Sequence, residues 1–223
     1  MNAPLTLAAS GSLLKFITDG GIIGYVIVAL SVVALAVGSA QFMMIRRSAL
    51  MPRALVESCR RELAAGRVAR ALELCRAPGG DSYLARILAA GLTRAGGGPL
   101  GMLQVREAMQ EAGDAETARL ERWTDAIAVI ASVAPLLGLL GTVQGMIGAF
   151  EGVATSAVND SAYYESLASN ISLALITTFQ GLLVAIPCTA AHALLRNRIE
   201  ACAAEAGEVA DEVAALVERG GAP

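Results

Sequence analysis

Charged residues are missing from three long stretches of this 223-residue sequence, and aromatic residues are scarce throughout it. Phe, Trp and Tyr make up 4% of the chain, whereas 55% is hydrophobic and the mean hydropathy is +0.58. Asp, Glu, Lys and Arg are absent from 21–45, 126–150 and 171–195. About 20 apolar residues cross the hydrocarbon core of a bilayer as a helix. The composition therefore excludes an ordinary soluble domain and predicts three membrane spans.

Other absences narrow the fold and the chemistry. The alternating segments of about ten residues that a β-barrel needs are missing, so we predict an all-α membrane protein. One histidine and four scattered cysteines without a CxxC pair make no metal-ligand set, and the cysteines are expected to be reduced. No nucleophile with a base, phosphate loop or cofactor motif indicates an enzyme. The net charge of −3 gives no indication of a nucleic-acid partner.

The distribution of basic residues predicts the topology. Thirteen of the 17 lie between Arg46 and Arg122, and none lies in 151–170. Because basic loops stay in the cytoplasm, both Arg46–Arg122 and the C-terminus are predicted to be cytoplasmic. The predicted segments are a periplasmic N-terminal segment (1–20), span 1 (21–45), a cytoplasmic helical region (46–125), span 2 (126–150), a periplasmic loop (151–170), span 3 (171–195) and a cytoplasmic C-terminal helix (196–223).

Helical periodicity extends beyond the second and third spans. Between Leu100 and Phe150 the only helix-breaking residue is Pro135, which predicts one helix of roughly 75 Å with a kink at the proline. The third span is expected to bend at Pro187 and to continue into the C-terminal helix. In the cytoplasmic region, Gly66 and the Pro-Gly-Gly at 78–80 are expected to separate short helices. At the N-terminus, Ser12–Asp19 fits either a short amphipathic helix or a frayed tail.

Small residues line one face of the second span. The seam consists of Gly138, Gly141, Gly145 and Gly148, spaced by three or four residues. Small residues let helices approach closely in lipid, so the seam predicts tight packing and favours assembly into an oligomer. Thr142 lies one position away from the seam. Its hydroxyl either bonds back to the Gly138 carbonyl or faces a polar path.

The third span also has a small and polar stripe, formed by Ala174, Thr178, Gly181, Ala185, Thr189 and His192, with Thr177 about 100° away. Such a stripe faces protein or a water-filled path. His192 is either a hydrogen-bonded interfacial residue, the commoner case, or a proton relay. The spans contain no carboxylate or cation, so any proton path through them needs a titratable group from another polypeptide.

Two segments resemble known motifs. Ala134–Val143 (APLLGLLGTV) is similar to the second-span motif of the MotA/TolQ/ExbB proton-channel family, and Ala174–Pro187 (ALITTFQGLLVAIP) to its third-span motif. The three-span layout with a large cytoplasmic segment resembles the ExbB/TolQ branch. The resemblance covers nearly the whole chain.

The resemblance implies a multi-pass subunit of the bacterial inner membrane. It implies a homopentamer around two single-span partners of the ExbD/TolR type, each supplying a membrane aspartate. Proton flow would energise a TonB- or TolA-like protein that reaches the outer membrane. Thr142 and Thr178 match the family's pore threonines, and Thr177 is taken with them as a candidate for the same path.

The sequence departs from the family at one position, since Leu173 stands where many ExbB-like proteins have a glutamate. A role assigned to that glutamate cannot be carried over. Two alternatives remain open: a non-conducting oligomeric scaffold, or a motor of the same family that serves another process.

Overall fold

The computed structural model describes residues 20–77, 82–95, 101–155 and 161–220. Within these ranges the chain forms α-helices and no strand. The helices are α1 (Gly21–Met44), α2 (Arg47–Leu50), α3 (Arg53–Ala64), α4 (Val68–Arg76), α5 (Tyr83–Thr93), α6 (Gly101–Thr155) and α7 (Ser161–Gly220).

Three of these helices are long and apolar enough to cross a membrane: α1, α6 and α7. They have 24, 55 and 60 residues. The two longest extend well past their charge-free segments, because no break in the sequence ends them there. The predicted all-α membrane fold with two long helices is therefore confirmed.

The segment 151–170 differs from the loop that the sequence predicted. Its described residues are helical, since α6 runs to Thr155 and α7 begins at Ser161. Loss of hydrophobicity marks the end of a membrane span, but polar residues continue a helix in water unless a breaker intervenes. The predicted N-terminal segment falls almost wholly outside the described residues.

Two prolines lie within long helices that continue on both sides of them. Pro135 is within α6 and Pro187 is within α7. A proline lacks the N–H that would bond the carbonyl four residues earlier, so each locally weakens its helix. The kinks at both positions stay predictions.

The chain divides into two compact units, and α6 and α7 contribute to both. The first unit comprises residues 1–38 and 125–192. In this unit α1 packs against α7 at Gly24, where an added Cβ would lie 2.8 Å from Oε1 of Gln180. Gln180 is 4% exposed. The glycine thus leaves room for a buried carboxamide between the two helices.

The second unit comprises residues 39–124 and 193–223, and its short helices follow the sequence closely. α3 and α4 meet at a turn where Gly66 has φ +71°, a conformation that favours glycine. The thiols of Cys59 and Cys75 face each other across this hairpin, with 3.6 Å between their Sγ atoms. Both cysteines are buried and free.

Helix α5 is anchored at its start and along its apolar face. The Ser82 hydroxyl caps the helix by accepting a hydrogen bond from the Ala85 N–H at 3.2 Å. The apolar face is buried: Leu84, Ile87, Leu88, Gly91 and Leu92. An added Cβ at Gly91 would lie 2.5 Å from Cε of Met109, so α5 packs closely on α6.

Ion pairs connect the first short helices of this unit to α7. Arg47 donates to both carboxylate oxygens of Glu205, with 2.8 Å from Nε to Oε2. Arg60 donates to Glu212 at 2.5 Å. The hydrogen bond and positive charge of Arg47 lower the pKa of the Glu205 carboxyl. Both partners are partly exposed, so solvent screens the pair and it contributes modestly.

The Arg47–Glu205 pair predicts a pH-dependent stability. A carboxyl with a lowered folded-state pKa stabilises the fold above its unfolded-state value near 4.5 and loses that effect as pH falls through the folded value. Glu205→Gln should therefore lower the melting temperature slightly at pH 7, and the difference from wild type should shrink when the pH is lowered well below 4.5. Thermal unfolding of the purified chain measures this. Glu208→Gln, at an exposed neighbour, is the matched control and should change nothing at either pH.

Candidate functional site

The glycine seam of α6 lies directly against α7 of the same chain. An added Cβ at Gly138 would lie 3.0 Å from the Thr178 Cα, and one at Gly145 would lie 2.6 Å from the Asn170 carbonyl oxygen. At Gly148 it would lie 3.0 Å from Oδ1 of Asn170. These distances leave no space for a Cβ at Gly145 and little at Gly138 and Gly148.

The close approach is reciprocal, because α7 contributes a glycine of its own. A Cβ at Gly181 would lie 2.5 Å from the Ala134 carbonyl oxygen and 3.3 Å from the Gly138 Cα. The two backbones therefore touch near the middle of both charge-free segments. In lipid, van der Waals contact of this kind stabilises helix pairs, since burying apolar surface gains little there.

The predicted packing seam is thus present, but its partner corrects part of the expectation. The four seam glycines contact residues of α7 in their own chain: Thr177, Thr178, Asn170 and Ala174. A role for these glycines in joining copies of the chain does not fit, because their surface is already occupied. The helical period of the sequence identified the face of α6 that carries the glycines, but it did not identify which helix packs against that face.

Thr177 is completely buried at this contact. Its exposed fraction is 0%, and an added Cβ at Gly141 would lie 2.5 Å from the Thr177 Cβ. Its hydroxyl donates to the carbonyls of Ala174 at 2.9 Å and Leu173 at 3.1 Å. The inclusion of Thr177 in a pore-lining set is therefore corrected: the side chain fills the helix interface, and its hydroxyl is satisfied within α7.

Thr178, the next residue, bridges the two helices at the edge of the interface. Its hydroxyl lies 3.1 Å from the carbonyl oxygen of Gly138 on α6 and 3.3 Å from that of Ala174 on α7. The residue is half-buried. In an α-helix the Gly138 carbonyl also accepts the backbone N–H of Thr142. Thr142 and Thr178 therefore converge on one carbonyl group.

The Thr142 side chain makes a local hydrogen bond. Its hydroxyl donates to the Leu139 carbonyl at 2.6 Å, one residue away from the Gly138 acceptor that we considered. The residue is half-buried and is flanked on α6 by the exposed side chains of Leu139 and Val143. A threonine hydroxyl keeps acceptor capacity while it donates, so the oxygen remains able to receive a proton donor.

Two further residues of α7 extend this site, one toward the start of α1 and one along α6. Leu173, at the position of the family glutamate, has its Cδ1 3.4 Å from where a Cβ on Gly21 would be. Asn170 lies against Gly148, and its amide donates to the Ser166 carbonyl at 3.0 Å. Asn170 was missed from the sequence, although its position one turn before Ala174 on the same stripe was a usable signal.

Comparison with known proteins agrees with these features. Residues 80–207 match the model of the MotA/TolQ/ExbB proton channel family. A biopolymer transport protein of the ExbB-like type from Synechocystis is 44% identical over 81 residues, which are 36% of this chain and 32% of the relative. The Tol-Pal system protein TolQ of Haemophilus influenzae is 35% identical over 112 residues, or 50% and 48% of the two chains.

The biopolymer transport protein exbB1 of Vibrio cholerae is 45% identical over 69 residues, which are 31% of this chain and 29% of the relative. The chain therefore spans less than half the length of each of these relatives. The family match extends to Gly207, so it contains the charge-free segments 126–150 of α6 and 171–195 of α7.

The helix contact predicts that the same glycine-to-alanine substitution has opposite effects on stability at two positions. Gly141→Ala forces a Cβ against the branched side chain of Thr177 and should destabilise the fold by about 1–3 kcal/mol. Gly207→Ala is the matched control, because no atom lies within 4 Å of its added Cβ. Alanine at this exposed helical position should stabilise the protein by about 0.5–1 kcal/mol. Thermal unfolding in one detergent compares the two. Equal melting temperatures would contradict the packing described here.

Proposed function

The chain belongs to the MotA/TolQ/ExbB proton channel family, and we propose on that premise that it is a proton-conducting motor subunit of the ExbB/TolQ type. With an ExbD/TolR-like single-span partner it uses the proton motive force to energise a TonB- or TolA-like protein acting at the outer membrane. The proposed location is the bacterial inner membrane, with the N-terminus periplasmic and the C-terminus cytoplasmic.

The observation that supports this proposal is the hydrogen bond from the Thr178 hydroxyl to the Gly138 carbonyl, one helical turn before Thr142 on α6. Both residues lie in segments without a charged residue, where polar side chains mark ion paths or helix contacts. Both are half-buried, so each remains open on one side. Two hydroxyls at this depth can accept a hydrogen bond from the neutral carboxyl group of a partner helix. By turning their O–H bonds away from the backbone carbonyls, they can donate to its charged form.

The partner is required by what these spans lack. A hydroxyl passes or orients a proton but does not store one near neutral pH, and neither 126–150 nor 171–195 contains Asp or Glu. Leu173 makes an apolar contact with the start of α1, so the position of the family glutamate adds no titratable group. The proposed partner supplies an aspartate. Each charge that crosses 100 mV releases about 2.3 kcal/mol.

The exposed faces of α6 and α7 are consistent with an assembly of several copies. Large apolar side chains around the two threonines are uncovered within the chain, among them Leu136, Leu140, Phe179 and Leu182. Lipid or neighbouring subunits must cover them. We propose that five copies surround two partner helices, with the Thr142–Thr178 edge of each copy turned toward the partners.

Threonine-to-valine substitutions test the proposed path. Thr142→Val and Thr178→Val remove a hydroxyl at nearly constant shape. If each hydroxyl bonds a charged carboxylate, each loss should reduce flux about 10- to 100-fold, since such a bond contributes about 1.5–3 kcal/mol. Flux is measured in vesicles containing the chain and its partner. Thr177→Val is the matched control and should conduct normally, because its hydroxyl is buried and bonded within α7.

Normal flux in both Thr142→Val and Thr178→Val would refute the assigned path. If the wild-type complex assembles but conducts no more than empty vesicles, the chain is the non-conducting scaffold instead.

A further inference from the structure

A titratable pair lies at the inner ends of the charge-free segments. His192 on α7 is the single histidine of the chain, and its Nε2 lies 3.8 Å from Oδ1 of Asp125 on α6. The His192 side chain is 22% exposed and that of Asp125 is 68% exposed. Asp125 is the last charged residue before 126–150. The pair thus stands where the apolar spans give way to polar sequence.

His192 also lies on the same stripe of α7 as Thr178. The two residues are fourteen positions apart in sequence, which is close to four helical turns, so both side chains project from the same side, about 21 Å apart. Thr189 lies between them on this stripe and is exposed, with its hydroxyl donating to the Ala185 carbonyl at 2.9 Å. Polar groups therefore recur on α7 from the middle of the span to its inner end.

The charged groups near His192 are few. Helix α1 contains no Asp, Glu, Lys, Arg or His. On α6, Glu121 and Arg122 lie one turn before Asp125, and on α7 the next charged residue is Arg196, whose Nε donates to Glu200 at 3.0 Å. Among the described residues, Asp125 is the charged group within ion-pair distance of the imidazole.

Imidazole is suited to this position because it gains and loses a proton between pH 5 and 8. A neighbouring carboxylate stabilises its charged form. The 3.8 Å separation is an ion-pair distance, longer than a hydrogen bond. Protonation of the ring therefore creates an attraction that the neutral pair lacks.

We propose that His192, adjacent to Asp125, is the proton-transfer residue at the inner end of the path. The imidazole accepts a proton at Nδ1 and becomes imidazolium. The proton on Nε2 then leaves to water, either directly or by way of the Asp125 carboxylate, which in turn releases it to water, and exchange with water restores the starting tautomer. One proton enters and one leaves, with no change in bonding elsewhere. This inference rests on the proposed function, since it assigns the exit of the same path.

The test is the dependence of proton flux on pH at the cytoplasmic face, in vesicles containing the full chain and its partner. Wild-type flux should vary with cytoplasmic pH as an imidazole gains and loses its proton, giving a titration curve. His192→Gln keeps a polar side chain but cannot be protonated, so it should lose this titration and conduct about 100-fold less. Added imidazole buffer should restore part of the flux. Asp125→Asn should also reduce the flux, because the carboxylate beside the imidazole is lost.

Glu208→Gln is the control, since it removes an exposed carboxylate of α7 in the other unit and should leave the profile unchanged. If His192→Gln does not assemble, diethyl pyrocarbonate modification of the wild-type complex replaces it, using a partner chain without histidine. Modification should block flux, and hydroxylamine should restore it.

The outcomes separate the two proposals. An unchanged flux and pH profile in His192→Gln, or in the modified wild type, overturns the role of His192 and leaves the proposed function standing. No flux in the wild-type complex overturns both. A fall in flux with an unchanged titration and no imidazole rescue shows a structural role and also overturns the inference.

Discussion

The contact between the backbones of α6 and α7 is the constraint on which the rest of the first unit depends. Glycine on both helices lets Gly138 and Gly181 come within van der Waals range, and no side chain separates the two helices there. In lipid, such contact is among the few forces that hold helices together. It also determines the chemistry of two adjacent threonines. Thr177 fills the interface, whereas Thr178 reaches across its edge to an α6 carbonyl.

Burying a charged group in lipid is costly, which explains why the spans contain uncharged polar side chains and why charged side chains lie beyond their ends. Hydroxyls and a carboxamide are the polar groups beside the helix contacts, and burial of the threonine hydroxyls is compensated by hydrogen bonds. Asp125 and His192 form an ionisable pair at one end of the α6 and α7 charge-free segments. The path we propose therefore needs one chain for its hydroxyls and another for its carboxyl group.

The second unit is stabilised by a different balance of forces. Its short helices bury apolar faces in water-accessible surroundings, and their apolar spacing follows the 3.6-residue period. The buried face of α5 and the Cys59–Cys75 contact represent its core. Exposed ion pairs such as Arg47–Glu205 join α2 to α7 over 158 residues of sequence. These pairs specify which helices meet, while apolar burial provides most of the stability.

The sequence by itself determined the three spans, the two long helices and the existence of a glycine seam. Each of these depends on residues close together in the chain, through hydrophobicity, helical period or backbone preference. Only the tertiary structure decided that the seam contacts α7 of the same chain, that Thr177 is buried while Thr178 bridges, and that Asp125 meets His192. Periodicity orders residues around one helix axis, but which side is covered depends on a helix distant in sequence. Residues 151–155 and 161–170 are helical although the sequence predicted a loop there. Hydrophobicity along the chain indicates where a span leaves the membrane, but it does not indicate where the helix ends.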